Sequence, residues 1–150
     1  MSSGIQIRAL NKSYGALHVL RQIDIEVEPG AFTVLLGPSG CGKSTLLNAI
    51  AGLDDVDSGE IVIGGVDVTD AEPSARGLAM VFQSYALYPT MTVRKNLSFG
   101  LRVNRTPKEE VEKRVGWAAD LLQIRELLDR KPGQLSGGQR QRVAIGRALV

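Results

Sequence analysis

The sequence predicts an α/β fold in which an antiparallel β part leads into a strand–glycine loop–helix core, with a mostly helical part after it. Two N-terminal segments alternate apolar and polar residues, as half-buried strands do. A continuous apolar run at residues 32–36 feeds a glycine-rich loop and then a helical pattern. After Gln83 the texture becomes helical.

Taken in order, Ile5-Gln6-Ile7-Arg8-Ala9-Leu10 alternates as a first strand. Ile23-Asp24-Ile25-Glu26-Val27-Glu28 forms a second, with Ile23, Ile25 and Val27 on one face, and Pro29-Gly30 breaks it. Phe32-Thr33-Val34-Leu35-Leu36 is predicted to be a strand buried on both faces with parallel neighbours. The loop after it opens a helix over residues 44–51, closed by Gly52. Residues 60–66, with Gly64-Gly65, suggest a hairpin, and Leu78-Ala79-Met80-Val81-Phe82 another buried strand. Thr106-Pro107-Lys108-Glu109 supplies a cap residue, a proline at the first helical position and a glutamate three residues after the cap. Val111, Val115, Ala118 and Leu122 then fall on one helical face. Pro132-Gly133 interrupts, and a last helix begins at Gly137 with no cap, glycine or proline to end it before Val150. An N-terminal fragment or a truncated product is therefore expected.

At 150 residues, 43% hydrophobic and 23% charged, the chain has the size and composition of one globular domain. That excludes disorder, a collagen-like repeat and a coiled coil. No apolar run approaches ~20 residues, so no transmembrane helix is expected. The N-terminal residues show no basic start followed by an apolar core, so no secretory signal is expected either. The single cysteine, Cys41, has no internal disulfide partner, which suits a soluble chain in a reducing compartment. Residues 1–75 hold 4 Lys/Arg against 10 Asp/Glu, whereas residues 76–150 hold 14 against 6. The basic half is scattered through helical patterns and mixed with acids, as on solvated faces, and no nucleic-acid partner is expected.

Gly37-Pro38-Ser39-Gly40-Cys41-Gly42-Lys43-Ser44 matches the phosphate-loop pattern G-x-x-x-x-G-K-[ST], with Thr45 following. Glycines let the backbone wrap a phosphate chain and aim N–H groups inward, and the following helix adds the positive end of its dipole. Lys43 is expected to reach the β- and γ-phosphates of a triphosphate, and the Ser44 hydroxyl to ligate Mg²⁺. The thiol of Cys41 is expected to have no chemical role.

Leu135-Ser136-Gly137-Gly138-Gln139 stands further along, followed by Arg140-Gln141-Arg142 and a helical run. With the phosphate loop upstream, this pentapeptide resembles the signature of the ATP-binding-cassette family. Its Ser136 hydroxyl, the N–H groups of Gly137 and Gly138, Gln139 and the helix start make a second anion site. The resemblance implies a P-loop NTPase core with an N-terminal antiparallel β subdomain and an inserted helical subdomain. It also implies a head-to-tail pair of ATPase subunits, in which each signature closes over the γ-phosphate held by the other phosphate loop. Ser13-Tyr14-Gly15 resembles the aromatic loop that stacks on adenine, and Phe82-Gln83 the loop whose glutamine reaches Mg²⁺ and the attacking water. Residues 76–93 closely resemble the ATPase subunits of maltose- and glycerol-3-phosphate-type sugar importers, with polyamine and ferric-iron importers also similar. Thr90 departs from those relatives, which often carry histidine there.

The resemblance spans essentially the whole chain and implies domain divisions at residues 1–83 (β subdomain and core), 84–136 (helical subdomain) and 137–150 (start of the signature helix). It implies ATP hydrolysis coupled to solute import through membrane permease subunits, at the cytoplasmic face of the membrane. The family's Asp-Glu strand and downstream histidine, which supply the general base and a γ-phosphate contact, do not occur after the signature in these residues. The only histidine, His18, lies upstream and is expected to have no catalytic role. Without that machinery the 150 residues alone are expected to bind nucleotide without hydrolysing it. A soluble cassette protein acting on DNA or the ribosome shares both motifs, but is expected to carry long insertions or a tandem second cassette, and this sequence has neither.

Overall fold

A computed structural model describes residues 3–150; Met1 and Ser2, where the N-terminal segment begins, lie outside them. The chain divides into two compact units, Met1–Leu78 and Ala79–Val150, each with its own apolar core.

In the first unit β1 (Ile5–Tyr14) and β2 (Leu17–Val27) form an antiparallel hairpin. β3 (Ser58–Ile63) pairs with the other edge of β1, and β4 (Val66–Asp67) returns after the Gly64-Gly65 turn, so the sheet runs β2-β1-β3-β4. Ile7 is buried as the alternation expects, with Ile61 and Ile63 in the same core, and the register shift between Ile7 and Leu10 brings in Leu10, which strict alternation would put on the other face. The hairpin is longer than the alternating segments, because pairing continues through bulges to Tyr14 opposite Leu17. At those bulges Ala9 and Gln22 take φ of 46° and 47°. Side chains replace the lost ladder bonds: the Ala9 N–H donates to the Asp24 carboxylate at 2.8 Å and the Gln22 N–H to Asn11 Oδ1 at 2.9 Å. His18 lies exposed in β2.

α1 (Lys43–Ala51) packs Leu46 and Ala49 onto this core. Gly52 ends it at φ 74°, and the N–H groups of Gly52 and Leu53 bond back to Ala49 O and Asn48 O. The buried Arg76 guanidinium donates to the carbonyls of Ala49, Ile50, Thr69 and Ala71 at 2.8–3.1 Å, which pins the end of α1 to the segment after β4. A Cβ at Gly52 would stand 2.5 Å from Arg76 Nε, so the position needs glycine for space as well as for φ.

The two predicted buried strands do not form. Residues 32–36 and 78–82 join no ladder among the described residues. Phe32 is 94% exposed and Leu36 89%, and only Leu35 packs partly on the core. An extended segment becomes a strand only when a neighbour takes up its N–H and C=O groups. The four paired strands belong to the antiparallel sheet, and none lies alongside either segment.

The second unit is helical: α2 (Val93–Leu97), α3 (Phe99–Val103), α4 (Lys108–Leu121) and α5 (Gly137–Leu149), with 3₁₀ turns at Arg125–Leu127 and Pro132–Gln134. Val111, Val115 and Ala118 of α4 are buried as predicted, with Ala119 added and Leu122 half-buried. The start of α4 differs by one position. Val111 N–H donates to Pro107 O at 3.0 Å, so Pro107 is the cap, and no side chain caps this helix. Proline lacks an N–H and loses nothing there.

Candidate functional site

Residues 37–44 form the loop that leads into α1. Gly40 and Gly42 take φ of 80° and 93°, and at Gly42 a Cβ would also press on Leu20 and Val19 at 3.1 and 3.2 Å. Gly42 is the N-cap of α1 and no side chain caps the helix. Among the described residues, the N–H groups of Gly42, Lys43, Ser44 and Thr45 have no protein acceptor. Lys43 Nζ folds back over the loop, donating to Gly37 O and Pro38 O at 2.7 Å each and to Cys41 Sγ at 3.4 Å. Free N–H donors, the positive helix end and an ammonium thus meet in one loop that holds no carboxylate, and that donor set fits a polyanion such as a phosphate chain. Cys41 is exposed.

Tyr14 ends β1 at the hairpin turn rather than lying in a free loop, and is 47% exposed. Its hydroxyl donates to Asp54 Oδ2 at 2.8 Å, and Lys12 Nζ stands 5.0 Å from the ring centroid. The hydrogen bond to Asp54, more than burial, holds the phenol above its ordinary pKa.

In the second unit Ser136 caps α5 through a capping box. Ser136 Oγ accepts the Gln139 N–H at 3.3 Å, and Gln139 Oε1 accepts the Ser136 N–H at 2.9 Å. The Gln139 side chain is thereby engaged in the cap, while the N–H groups of Gly137 and Gly138 have no acceptor among the described residues. Gln83 lies exposed in a turn closed by the Tyr85 N–H on Phe82 O at 2.9 Å. Tyr85 and Ala86 follow with φ of 65° and 47°.

Two side chains that frame this second stretch were not singled out by the sequence. Arg147 of α5 donates to Ala86 O at 2.6 Å and to Tyr85 O at 3.5 Å, and lies 5.8 Å from the Tyr88 ring centroid. Nothing in the sequence marks it among the other basic residues. Asn96, fully buried on α2, accepts the Tyr88 N–H at 2.8 Å and donates to the carbonyls of Tyr88, Met91 and Thr92 at 3.1–3.2 Å. Its signal was a polar residue between the apolar Val93 and Leu97 on a helical face.

A family model described as ABC transporter matches residues 20–150. The chain belongs to the ABC transporter family. Tyr14 lies outside that match. The lactose transport ATP-binding protein LacK of Rhizobium radiobacter is 58% identical over 97% of this chain and 40% of its own length. The sn-glycerol-3-phosphate import ATP-binding protein UgpC of Brucella abortus is 56% identical over 99% of this chain and 42% of its own. The maltose/maltodextrin import ATP-binding protein MalK of Mannheimia succiniciproducens is 55% identical over 99% and 40%. The chain thus spans about two fifths of the length of these curated ABC relatives. No helix among the described residues is long and apolar enough to cross a membrane.

Proposed function

We propose that the chain is the nucleotide-binding portion of an ATPase subunit that drives uptake of a small solute, a sugar, through a membrane permease. The observation that carries the reading is the phosphate loop: a helix start without a side-chain cap, four N–H groups without acceptors and the Lys43 ammonium turned onto the same loop. The loop from Gly37 to Thr45 would hold the phosphates of ATP, with Lys43 on the β- and γ-phosphates. The Ser44 hydroxyl and Gln83 would hold Mg²⁺ together with phosphate oxygens, the mixed shell that ion favours. Bound Mg²⁺–ATP supplies the γ-phosphoryl group, and the ion offsets its charge. Tyr14 would stack on the base, and Ser136 with the Gly137 and Gly138 N–H groups would meet the γ-phosphate held by a second, head-to-tail ATPase subunit.

Sugar and sugar-like solutes in the names of the relatives support the substrate class: lactose, α-glucoside, maltose and sn-glycerol-3-phosphate. The subunit would work peripherally at the cytoplasmic face of the membrane. Its stretch from Gln83 to Val93, with Tyr85 and Tyr88 beside Pro89, would face the permease. The β subdomain and core would run to residue 83, the helical subdomain to 136. Within these 150 residues no Asp-Glu pair follows the signature. Alone, they would bind nucleotide without turnover, since a positioned general base is typically worth ~10²–10⁴-fold.

The test is binding of a fluorescent ATP analogue with Mg²⁺ to the chain and to Lys43→Ala, with phosphate release measured beside it. Saturable binding lost in the variant, without turnover, is the expected result. Equal binding by both proteins would remove the assignment. In a full-length version, a cross-linker at Ala86 should trap a permease helix; trapping only a soluble partner would favour a cassette protein acting on DNA or the ribosome.

A further inference from the structure

The Tyr14 ring is held more firmly than a stacking residue needs to be. Its backbone ends β1, paired with Leu17 across the hairpin. Its hydroxyl donates to Asp54 Oδ2 at 2.8 Å, and Asn48 of α1 donates to the same oxygen at 3.4 Å. Asp54 stands two residues past the Gly52 cap, so the bond ties the ring to the end of the helix whose start carries the phosphate loop. Lys12 Nζ covers one face of the ring at 5.0 Å, and the side chain as a whole stays 47% exposed. An aromatic side chain that orders only on binding gives up rotamer freedom at that moment, whereas a tethered one has already given it up. The Asp54 bond also holds the phenol above its ordinary pKa.

We propose that Asp54 is a positioning residue for the nucleobase: by accepting the Tyr14 hydroxyl it fixes the ring relative to α1, so that a purine stacks on a preset platform while the phosphates lie at the other end of the same helix. The proposal rests on the reading of Tyr14 as the base-stacking residue. It separates two parts of nucleotide affinity, one given by the phosphate loop and one by the ring and its tether.

The experiment titrates the 150-residue chain with ATP and, separately, with inorganic tripolyphosphate, both with Mg²⁺. Asp54→Ala and Tyr14→Phe each remove the same hydrogen bond. Each is expected to weaken ATP binding by about 3- to 10-fold and to leave tripolyphosphate binding unchanged. The double variant should be no weaker than Asp54→Ala alone, because the Tyr14–Asp54 bond is already lost there. Asp54→Asn keeps an acceptor oxygen in place and should restore ATP binding to within about twofold of the parent. If Tyr14→Ala weakens ATP binding while Asp54→Ala does not, the proposal is overturned and the stacking reading stands. If Tyr14→Ala has no effect, or the parent does not prefer ATP to tripolyphosphate, the stacking reading fails and the proposal with it. Equal losses for ATP and tripolyphosphate in Asp54→Ala would mean general damage to α1, which also overturns it.

Discussion

Replacing Asn96 by alanine should destabilise the helical unit more than any exposed substitution. The side chain is fully buried and serves only the loop before α2. Its Oδ1 accepts the Tyr88 N–H, and its two amide hydrogens are shared among the carbonyls of Tyr88, Met91 and Thr92. Alanine removes about three hydrogen bonds worth roughly 1 kcal/mol each and leaves a small cavity, so the loss is about 3–4 kcal/mol. Against a typical total of ~5–15 kcal/mol that is decisive. Trp117, the sole tryptophan, sits on α4 in the same unit, so its fluorescence in urea reports on this loss. Asn96→Asp sharpens the test. Its carboxylate would keep an acceptor for the Tyr88 N–H but face three carbonyls, which raises its folded-state pKa above the unfolded value of ~3.9. Below that value both states are protonated and the penalty is smallest. As pH rises toward the folded pKa, the unfolded state alone releases the proton, and stability falls by about 1.4 kcal/mol per pH unit relative to the parent. A loss under about 1 kcal/mol for Asn96→Ala, or a flat Asn96→Asp difference between pH 4 and 7, would refute this account of the loop.

Lys43→Ala should weaken nucleotide binding by at least about 1.5–3 kcal/mol, the worth of a charge-assisted hydrogen bond, as read by isothermal titration. Arg147→Ala frees the carbonyls of Tyr85 and Ala86 and should speed chymotryptic cleavage after Tyr85 about tenfold, with Arg147→Lys in between; unchanged cleavage would show that the arginine does not hold the loop. Phe32→Ser should cost less than about 0.5 kcal/mol and reduce binding of an apolar dye, because the ring is exposed, whereas a loss of ~3–5 kcal/mol would place it in a core. Asp67, Glu110 and Asp120 are held below the ordinary carboxyl range by hydrogen bonds from Thr69, Arg114 and Arg125. Their contribution is present above the unfolded pKa values and is lost as pH falls through the folded ones, so the urea midpoint should drop on acidification below about pH 4 and drop less in Asp120→Asn.

What was legible in the sequence is what depends on near neighbours. The alternation of Ile5, Ile7 and Ile23, Ile25 needs only a sheet with one buried face, and the Val111, Val115, Ala118 stripe needs only one helix turning every 3.6 residues. The phosphate loop is contiguous, so its residues were found together. The side chains that hold the site are not contiguous. Asp54 meets Tyr14 from 40 residues away, Arg147 meets Ala86 from 61, and Asp24 fills the bulge at Ala9 from 15. No local pattern encodes those pairings, since each depends on where the fold brings a distant hydrogen-bonding group.

Residues 32–36 and 78–82 differ in kind. Their composition asks for burial on two faces, and that request is a property of the side chains whatever surrounds them. Burial also requires partners for the backbone, and an unpaired N–H or C=O taken out of water costs as much as a lost hydrogen bond. Here both segments stay outside the sheet, with Phe32, Val34, Leu36, Leu78 and Val81 exposed and no strand beside them among the described residues. Full burial of such a side chain is worth about 1.5–3 kcal/mol, so the unsatisfied apolar surface of these five side chains is comparable to the whole stability of an ordinary domain. A row of exposed apolar side chains on a backbone without ladder partners is also a place where a strand can be added. The two segments are therefore where these residues have most to gain from a further strand, and the one that ends at Gly37 would transmit that gain directly into the phosphate loop.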